Sequence, residues 1–174
     1  MKAAWELRLA LTVLALTPAG GFAAIGGFHA PQSVAEKALD RIIARADKDE
    51  NQLDNLFHRY GPVPVRRRVD YTALLSPALL SAMARHERAL VKQDCGGRYK
   101  SGEVCGMDSS PITCSQDSAP PYTYKTTATA ADMVIIALRW PTEPKTVATY
   151  RLKRFAAAWK VDGVDCAEGD RFNF

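Results

Sequence analysis

Histidine is scarce in this sequence, and the motifs of nucleophilic catalysis are missing. The three histidines are His29, His58 and His86, and none of them lies beside a nucleophile motif. No G-x-S-x-G pattern occurs, so the turn that exposes a catalytic serine in many hydrolases is not predicted. The glycines of residues 19–28 follow no predicted strand and do not indicate a phosphate or dinucleotide site. These absences predict a protein that is not an enzyme and that needs no cofactor.

A strong net charge is also missing. Without residues 1–24, which we interpret below as a removable export segment, 21 basic and 18 acidic residues remain. Nucleic-acid binding needs a concentrated basic surface, so this mild excess argues against nucleic acid as a partner. The short basic clusters at 66–68 and 151–154 do not lie among stacking aromatic residues, and we interpret them as solvated faces.

Long apolar runs are absent except at the N-terminus. There, Lys2 and Arg8 flank the apolar run Leu9–Leu16, and small residues follow at 22–24, which is the order of a secretory signal peptide. The apolar run is too short to span a bilayer as a helix, and an uncleaved anchor is the alternative interpretation. We therefore expect a periplasmic or secreted protein with no stable membrane span once residues 1–24 are removed.

Cysteine is sparse but even in number. The four cysteines are Cys95, Cys105, Cys114 and Cys166, and an even count behind an export signal predicts two disulfides. No C-x-x-C pair accompanies them, so a metal site is not expected. Of the three pairings that four cysteines allow, we favour Cys95–Cys105 and Cys114–Cys166. The second would close a loop of about 50 residues and stabilise the fold by roughly 3–4 kcal/mol.

The first helix signal begins at Ser33. Together with Glu36 it forms a capping-box pattern in front of apolar residues at helical spacing. The charged stretch 47–51 is expected to interrupt the helix, which then continues to Gly61 and Pro62. Proline removes a backbone donor and restricts the residue before it, so the helix is predicted to end there.

A second helix is predicted further along the chain. Ser76 is a favourable cap and Pro77 suits the first helical position, and the helix is expected to end at Gln93–Asp94. Residues 94–121 are rich in Gly, Ser, Asp and Pro and contain three of the cysteines. A loop of this length in a compact domain is either functional or stapled, and the cysteines predict that it is stapled.

From Tyr122 onward the apolar period is two, which predicts β-strands. The second strand is apolar on both faces, as in a central strand that is covered on each side. On the last strand, Trp159 is expected to face the core and Asp162 to face outward. Short connections predict antiparallel neighbours. The four expected strands lie within the stretches 122–130, 133–140, 146–155 and 159–164.

Helices first and strands last is the order of an α+β domain. We place this single domain at 33–166, between a flexible mature N-terminus at 25–32 and a C-terminal tail at 167–174. The expected architecture has N-terminal helices packed on a curved, four-stranded antiparallel sheet that is stapled by disulfides.

Several stretches resemble one known family. In their order along the chain they resemble the bacterial exported family called domain of unknown function 3828, within the nuclear-transport-factor-two-like superfamily. The resemblance implies a cone-like, cystatin-like fold and an exported protein, with little chemistry. One departure is Ala156–Ala158, where such hairpins usually carry Gly or Asn. The matching stretches are LFHRY at 56–60, LLSPALLSAM at 74–83, the loop from Asp108 to Asp117 with PITC at its centre, YRLKR at 150–154 and WKVDGVD at 159–165.

Carboxylates near the disulfides are the main candidates for a binding site. Asp162 and Asp165 lie three apart on the last strand, so alternation turns them to opposite faces unless a bulge changes the phase. Asp108 and Asp117, in the long loop, are expected to approach Asp162 through the second disulfide. The alternative is that these polar side chains cap loop amides. The candidate binding residues are Asp108, Gln116, Asp117, Trp159 and Asp162.

Three hypotheses about function follow. The preferred one is a non-catalytic domain that binds a protein or envelope component, for example as an immunity or inhibitor protein. The second is a small hydrolase or lyase that uses a carboxylate in the cavity of the cone. The third is an envelope protein that forms a homodimer through its exposed sheet face. Aromatic residues that could line a cavity on the sheet are Tyr122, Tyr124, Trp140, Tyr150 and Trp159.

Overall fold

The computed structural model describes residues 27–59, 68–116, 120–140, 144–167 and 171–172. Its elements run helices first and strands last, which confirms the predicted α+β class. The predicted signal peptide, the predicted helix end at Gly61 and Pro62, and Asp117 lie outside the described residues. Within the described ranges, no helix combines the length and the apolar character that crossing a membrane requires.

Two helices occupy the first helical stretch. α1, Val34–Asp47, begins at the expected capping box, in which the Glu36 amide donates to the Ser33 hydroxyl at 3.1 Å and the Ser33 amide donates to the Glu36 carboxylate at 2.9 Å. The charged stretch that follows interrupts the helix as predicted, and α2 spans Gln52–Phe57. α2 ends earlier than predicted because His58 adopts a left-handed φ of 53°, a conformation that cannot continue a right-handed helix.

The third helix, α3, spans Pro77–Cys95. Its start is the predicted one, because the Leu79 amide donates to the Ser76 hydroxyl at 3.1 Å and Pro77 lies in the first turn. The helix runs slightly past its predicted end at Gln93–Asp94. The residue that stops it is Gly96, whose left-handed φ of 68° is accessible to glycine without steric cost.

The sheet has five antiparallel strands in the sequential order β1-β2-β3-β4-β5. The four predicted strands are present, and β5 is an addition within the residues expected to form a C-terminal tail. β5 pairs with β4 through Val164 and Phe172, and Phe172 is buried in the core. The bounds are β1 Thr123–Thr129, β2 Met133–Arg139, β3 Ala148–Phe155, β4 Ala158–Cys166 and β5 Arg171–Phe172.

The segment before α1, expected to be flexible, is attached to the sheet. The backbones of His29 and Tyr124 exchange two hydrogen bonds, at 3.0 and 2.8 Å. This bridge lies on the edge of β1 that β2 does not occupy. It covers part of an edge that would otherwise present unpaired backbone groups.

One face of the sheet packs against α1 and α3. On the opposite face, Ala137 of β2 is buried but Met133 and Ile135 are only half-buried, so the prediction that β2 is covered on both sides holds only at one end of the strand. These two residues lie opposite Lys153 and Arg151 of β3, whose aliphatic stems can shelter apolar neighbours without a second layer. The helix-facing side chains with almost no exposure include Tyr124, Ile136, Tyr150, Leu152, Val161 and Val164.

Carboxylates of α1 fasten that helix to the first strand. The acceptors lie along the helix, and the donors occupy alternate positions in β1 and at the residue just before it, so one face of each element meets the other. Each bond gives a hydroxyl at the edge of the core a charged acceptor, and such bonds are stronger than neutral ones. The bonds, each 2.8 Å long, run from the Thr126 hydroxyl to Glu36, from the Tyr124 hydroxyl to Asp40 and from the Tyr122 hydroxyl to Asp47.

Candidate binding site

Both favoured disulfides are present in the structure. Cys95–Cys105 closes the loop after α3, and Cys114–Cys166 ties the following loop to the end of β4. Glu103 lies close to the first pair, but sulfurs in a disulfide are not the thiolates that metals bind. Together the two bonds restrain residues 95–116, called here the stapled segment.

The buried carboxylate of Glu87 fastens the stapled segment from beneath. Glu87 lies on α3 with 1 % exposure and accepts hydrogen bonds from Arg59 Nε at 2.7 Å, from the Tyr99 hydroxyl at 2.8 Å and from the Met107 amide at 2.7 Å. Burial, followed by the bond to Glu87, raises the pKa of Tyr99 to about 12, so this hydroxyl stays a donor at neutral pH. A buried charge needs such partners to be tolerated. Arg59 provides one of them, and the stapled segment provides the other two.

Glu87 was not among the residues predicted from the sequence, although a signal was available. It lies between Met83 and Val91 at a spacing of four, and all three are buried. A charged residue inside an apolar helical stripe indicates a buried ion pair. Its partner Arg59 is 28 positions earlier in the chain, which no local pattern reveals.

The backbone of the stapled segment approaches Glu87 so closely that only glycine fits at position 106. A Cβ atom there would lie 2.5 Å from the Glu87 carboxylate, and Gly106 has a φ of 79°. Its amide also donates to Asp94 on α3 at 3.2 Å. The exposed loop Gly96–Val104 is therefore held at its base by one disulfide and two carboxylates of α3.

A groove runs between α2 and the second half of the stapled segment. Its volume is about 560 Å³, and it contains two of the candidate residues, Asp108 and Gln116. Arg59 also faces it, with its guanidinium committed to Glu87. The groove is polar and mainly acidic, which suits a polar or cationic group of a partner. Its acidic and hydroxyl lining consists of Asp49, Glu50, Asp54, Asp108, Ser109, Ser110 and Ser115.

Trp159 and Asp162 are not among the residues that line this groove. Trp159 packs against the core from the helix-facing side of β4, as predicted from alternation. Asp162 is the extra residue of a β-bulge, because β3 pairs Arg151 with Gly163 and the next residue, Leu152, with Val161. Its carboxylate accepts from Arg151 Nε at 3.2 Å.

The bulge determines which face of the sheet Asp162 and Asp165 occupy. Val161 and Val164, three residues apart, are both fully buried, so the phase of β4 changes between them. Asp162 contacts Arg151, and Asp165 pairs with Thr149 of the same outer face. Both carboxylates therefore lie on the face away from the helices, which is the exception that a bulge was expected to produce. Neither carboxylate is among the residues that line the groove with Asp108.

The histidines occupy structural positions. His29 donates from Nδ1 to the Ala30 carbonyl at 2.8 Å, and His58 ends α2. The ring of His86 meets that of Phe172 edge-on, with centroids 5.5 Å apart.

The helix-facing side of the sheet, where a cone cavity would lie, is filled by core side chains. Tyr124 and Tyr150 have no exposed surface. Their hydroxyls donate to Asp40 at 2.8 Å and to the Ile112 carbonyl at 2.7 Å. Tyr122, which is also buried, donates to Asp47. These tyrosines therefore act as core residues in the described part of the chain.

Comparison with known proteins gives no further guide. No family model, curated protein or solved structure matches this chain. The arrangement of residues in the structure is therefore the basis for any functional interpretation.

Proposed function

We propose that this chain is an exported, non-catalytic binding domain that recognises a protein or envelope component in the periplasm or outside the cell. The observation that carries the proposal is the stapled segment. Two disulfides and the buried Arg59–Glu87 pair hold it in place, while most side chains of Gly96–Val104 are exposed. A loop fixed in one shape without joining the core is suited to recognition, because fixing it beforehand lowers the entropy cost of binding.

We also propose that the fold is cone-like and that the chain belongs to the domain of unknown function 3828. The support is the order of elements, with helices first, and a sequential antiparallel sheet with helices on one face. An experimental structure with a flat sheet, or with a helix layer on both faces, would contradict this part of the proposal.

The compartment can be tested on the protein in its native cell. Disulfides persist in oxidising compartments, so trapping of free thiols before lysis should label no cysteine. Mass spectrometry should find a mature chain that starts at residue 25. Free thiols at all four cysteines, or an intact N-terminus in the cytosol, would contradict export.

The binding function can be tested by cross-linking in the native envelope fraction, followed by affinity capture and mass spectrometry. We expect a specific partner with the wild-type chain. The double substitution Cys95→Ser and Cys105→Ser, which opens the exposed loop, should reduce its recovery. A matched control is Cys114→Ser with Cys166→Ser, which leaves that loop closed. Recovery of the wild-type protein free of any partner, across growth conditions, would contradict the proposal.

A further inference from the structure

The outer face of α3 carries a row of cations. Arg85, Arg88 and Lys92 are exposed and lie at positions i, i+3 and i+7, so they share one face of the helix. The row is about 10 Å long at the rise of an α-helix. Arg98 and Lys100 of the loop that follows add two more exposed cations.

Few carboxylates offset this charge. Lys100 pairs with Glu103 at 3.4 Å, and Asp94 accepts from the Gly106 amide. Glu87, on the same helix, is buried against Arg59. Within the described residues, no ion pair involves the three arginines and the lysine that remain, Arg85, Arg88, Arg98 and Lys92.

A large apolar side chain is exposed in the loop that carries Arg98 and Lys100. Val104 is 77 % exposed and directly precedes Cys105 in the closed loop. The position of the loop is fixed by the Cys95–Cys105 bond and by the Tyr99 hydroxyl, which donates to Glu87 at 2.8 Å. The exposed valine is therefore one residue away from the disulfide that ties this loop to the end of α3.

We propose that Arg85, Arg88, Lys92, Arg98 and Val104 form one docking surface, called here the α3 surface, for a folded protein that presents carboxylates around a shallow apolar pocket. The inference rests on the proposed binding function and names the partner class for its stapled segment. The cations supply charge complementarity and speed the encounter, and Val104 supplies an apolar contact.

A protein partner fits this surface better than an anionic membrane. A loop held in one shape can match a partner of complementary fixed shape, and holding it lowers the entropy cost of docking. A fluid bilayer gains nothing from a fixed loop, and membrane anchoring uses an extended apolar face or a lipid chain. Among its described residues, the α3 surface has a single large apolar side chain, Val104, which is too little for membrane anchoring of that kind.

The test uses a photo-reactive phenylalanine analogue in place of Val104 in the full-length exported protein, irradiated in its native envelope. The matched control is the same analogue in place of Val34, which is 73 % exposed and shares its helix face with Lys37. A third position, Gln116, reports on the acidic groove. We expect a discrete protein adduct from position 104 that weakens when salt is raised, and none from position 34.

The adduct partner is then identified, purified and titrated against variants of the protein. Val104→Asp and Arg88→Glu are each expected to raise Kd about tenfold or more, while Val34→Asp and Lys37→Glu leave it unchanged. All four positions are exposed, so unchanged unfolding midpoints should show that the variants fold.

The outcomes separate the two levels of the proposal. Two results would overturn the α3 surface and leave the binding function standing. One is an adduct from position 34 or 116 without one from position 104. The other is a Kd that Arg88→Glu does not change. No adduct from any of the three positions, together with no binding to phosphatidylglycerol vesicles, would overturn both. Binding to phosphatidylglycerol vesicles that Arg88→Glu abolishes, without a protein adduct, would replace the protein partner by a membrane.

Discussion

At the scale of single residues, Glu87 shows how one buried charge organises a surface. Its carboxylate accepts hydrogen bonds from Arg59 just after α2, from the Tyr99 hydroxyl in the exposed loop and from the backbone amide of Met107. Arg59, its charged partner, is itself mostly buried, with 12 % of its side chain exposed. Removing one charge of such a pair leaves the other uncompensated in a poorly solvated place.

We predict that Glu87→Gln lowers the free energy of unfolding by about 3 kcal/mol, the range found when one member of a buried pair is removed. The matched control is Glu103→Gln, because Glu103 is about half exposed and pairs only with exposed Lys100. A pair of that kind contributes about 0–1 kcal/mol. Urea unfolding followed by circular dichroism, with the disulfides intact, measures both. Equal losses for the two substitutions would contradict the buried role of Glu87.

Residue-level features were predictable where they are local in sequence. Ser33 with Glu36, and Ser76 with Pro77, are signals only a few residues long, and the structure confirms both helix starts. The Arg59–Glu87 pair joins residues 28 apart, and its formation depends on how α2 packs on α3. The sequence places Asp108 and Gln116 in a loop, and the position of α2 makes them walls of a groove.

At the scale of elements, the β3–β4 hairpin contains a strained turn. Phe155 pairs with Ala158, so Ala156 and Ala157 form the turn, and Ala156 has a left-handed φ of 51°. An L-residue other than glycine pays about 1–2 kcal/mol for that conformation. The sequence lacks the usual Gly or Asn at this position, and the turn forms nevertheless.

We predict that Ala156→Gly raises the free energy of unfolding by about 1 kcal/mol, because glycine adopts a positive φ without strain. The control is Ala157→Gly in the same turn, which is equally exposed but has no positive φ and should gain nothing. Thermal and urea unfolding of the two variants measure the difference. A larger gain for Ala157→Gly would show that the turn has another conformation.

The two disulfides restrain elements over different lengths of chain. Cys114–Cys166 spans 52 positions and Cys95–Cys105 spans 10. In the chain-entropy account, the longer loop loses more freedom in the unfolded state. We predict that replacing Cys114 and Cys166 by alanine costs about 4 kcal/mol and that replacing Cys95 and Cys105 costs about 3 kcal/mol. Denaturant unfolding of the two double variants gives the order, and the reverse order would contradict the entropic account.

The strand pattern was predictable as far as alternation holds. Ala148, Tyr150 and Leu152 of β3 are buried as expected. On β4 the extra residue Asp162 breaks the alternation, and Gly163 gives room for the Arg151 guanidinium, which lies within 3.3 Å of where its Cβ would be. β5 is two residues long, too short to produce a periodic signal.

At the scale of the whole molecule, hydroxyls bonded to carboxylates join the helical layer to the rest of the core. Tyr124 donates to Asp40 of α1, and Tyr71 donates to Asp49 between α1 and α2. Burial, followed by these bonds, raises the pKa of both hydroxyls far above the ordinary value of 10. Burial also raises the pKa of Tyr150. At a pH above about 10, the folded protein therefore keeps these tyrosines protonated, while the unfolded chain loses their protons.

The sign of the resulting pH dependence follows from proton linkage. Below about pH 10 both states hold these protons, so the stability that the tyrosines contribute is fully present. Above about pH 10 the unfolded chain binds fewer protons than the folded one, and the free energy of unfolding falls by about 1.4 kcal/mol per pH unit for each such tyrosine. We predict a cooperative alkaline unfolding in which tyrosinate absorbance appears together with the loss of circular dichroism.

The substitution Tyr124→Phe tests this in a single comparison. At neutral pH the variant should be less stable by about 1 kcal/mol, because the hydroxyl bond to Asp40 is lost. Above about pH 10 its stability should fall less steeply than that of the wild type, by about 1.4 kcal/mol per pH unit, since one buried hydroxyl no longer needs to stay protonated. Denaturant unfolding at a series of alkaline pH values measures both slopes. Parallel slopes, or tyrosinate absorbance in the fully folded protein at the ordinary pKa, would mean that the Tyr124 hydroxyl is open to water and that α1 does not cover the sheet as described.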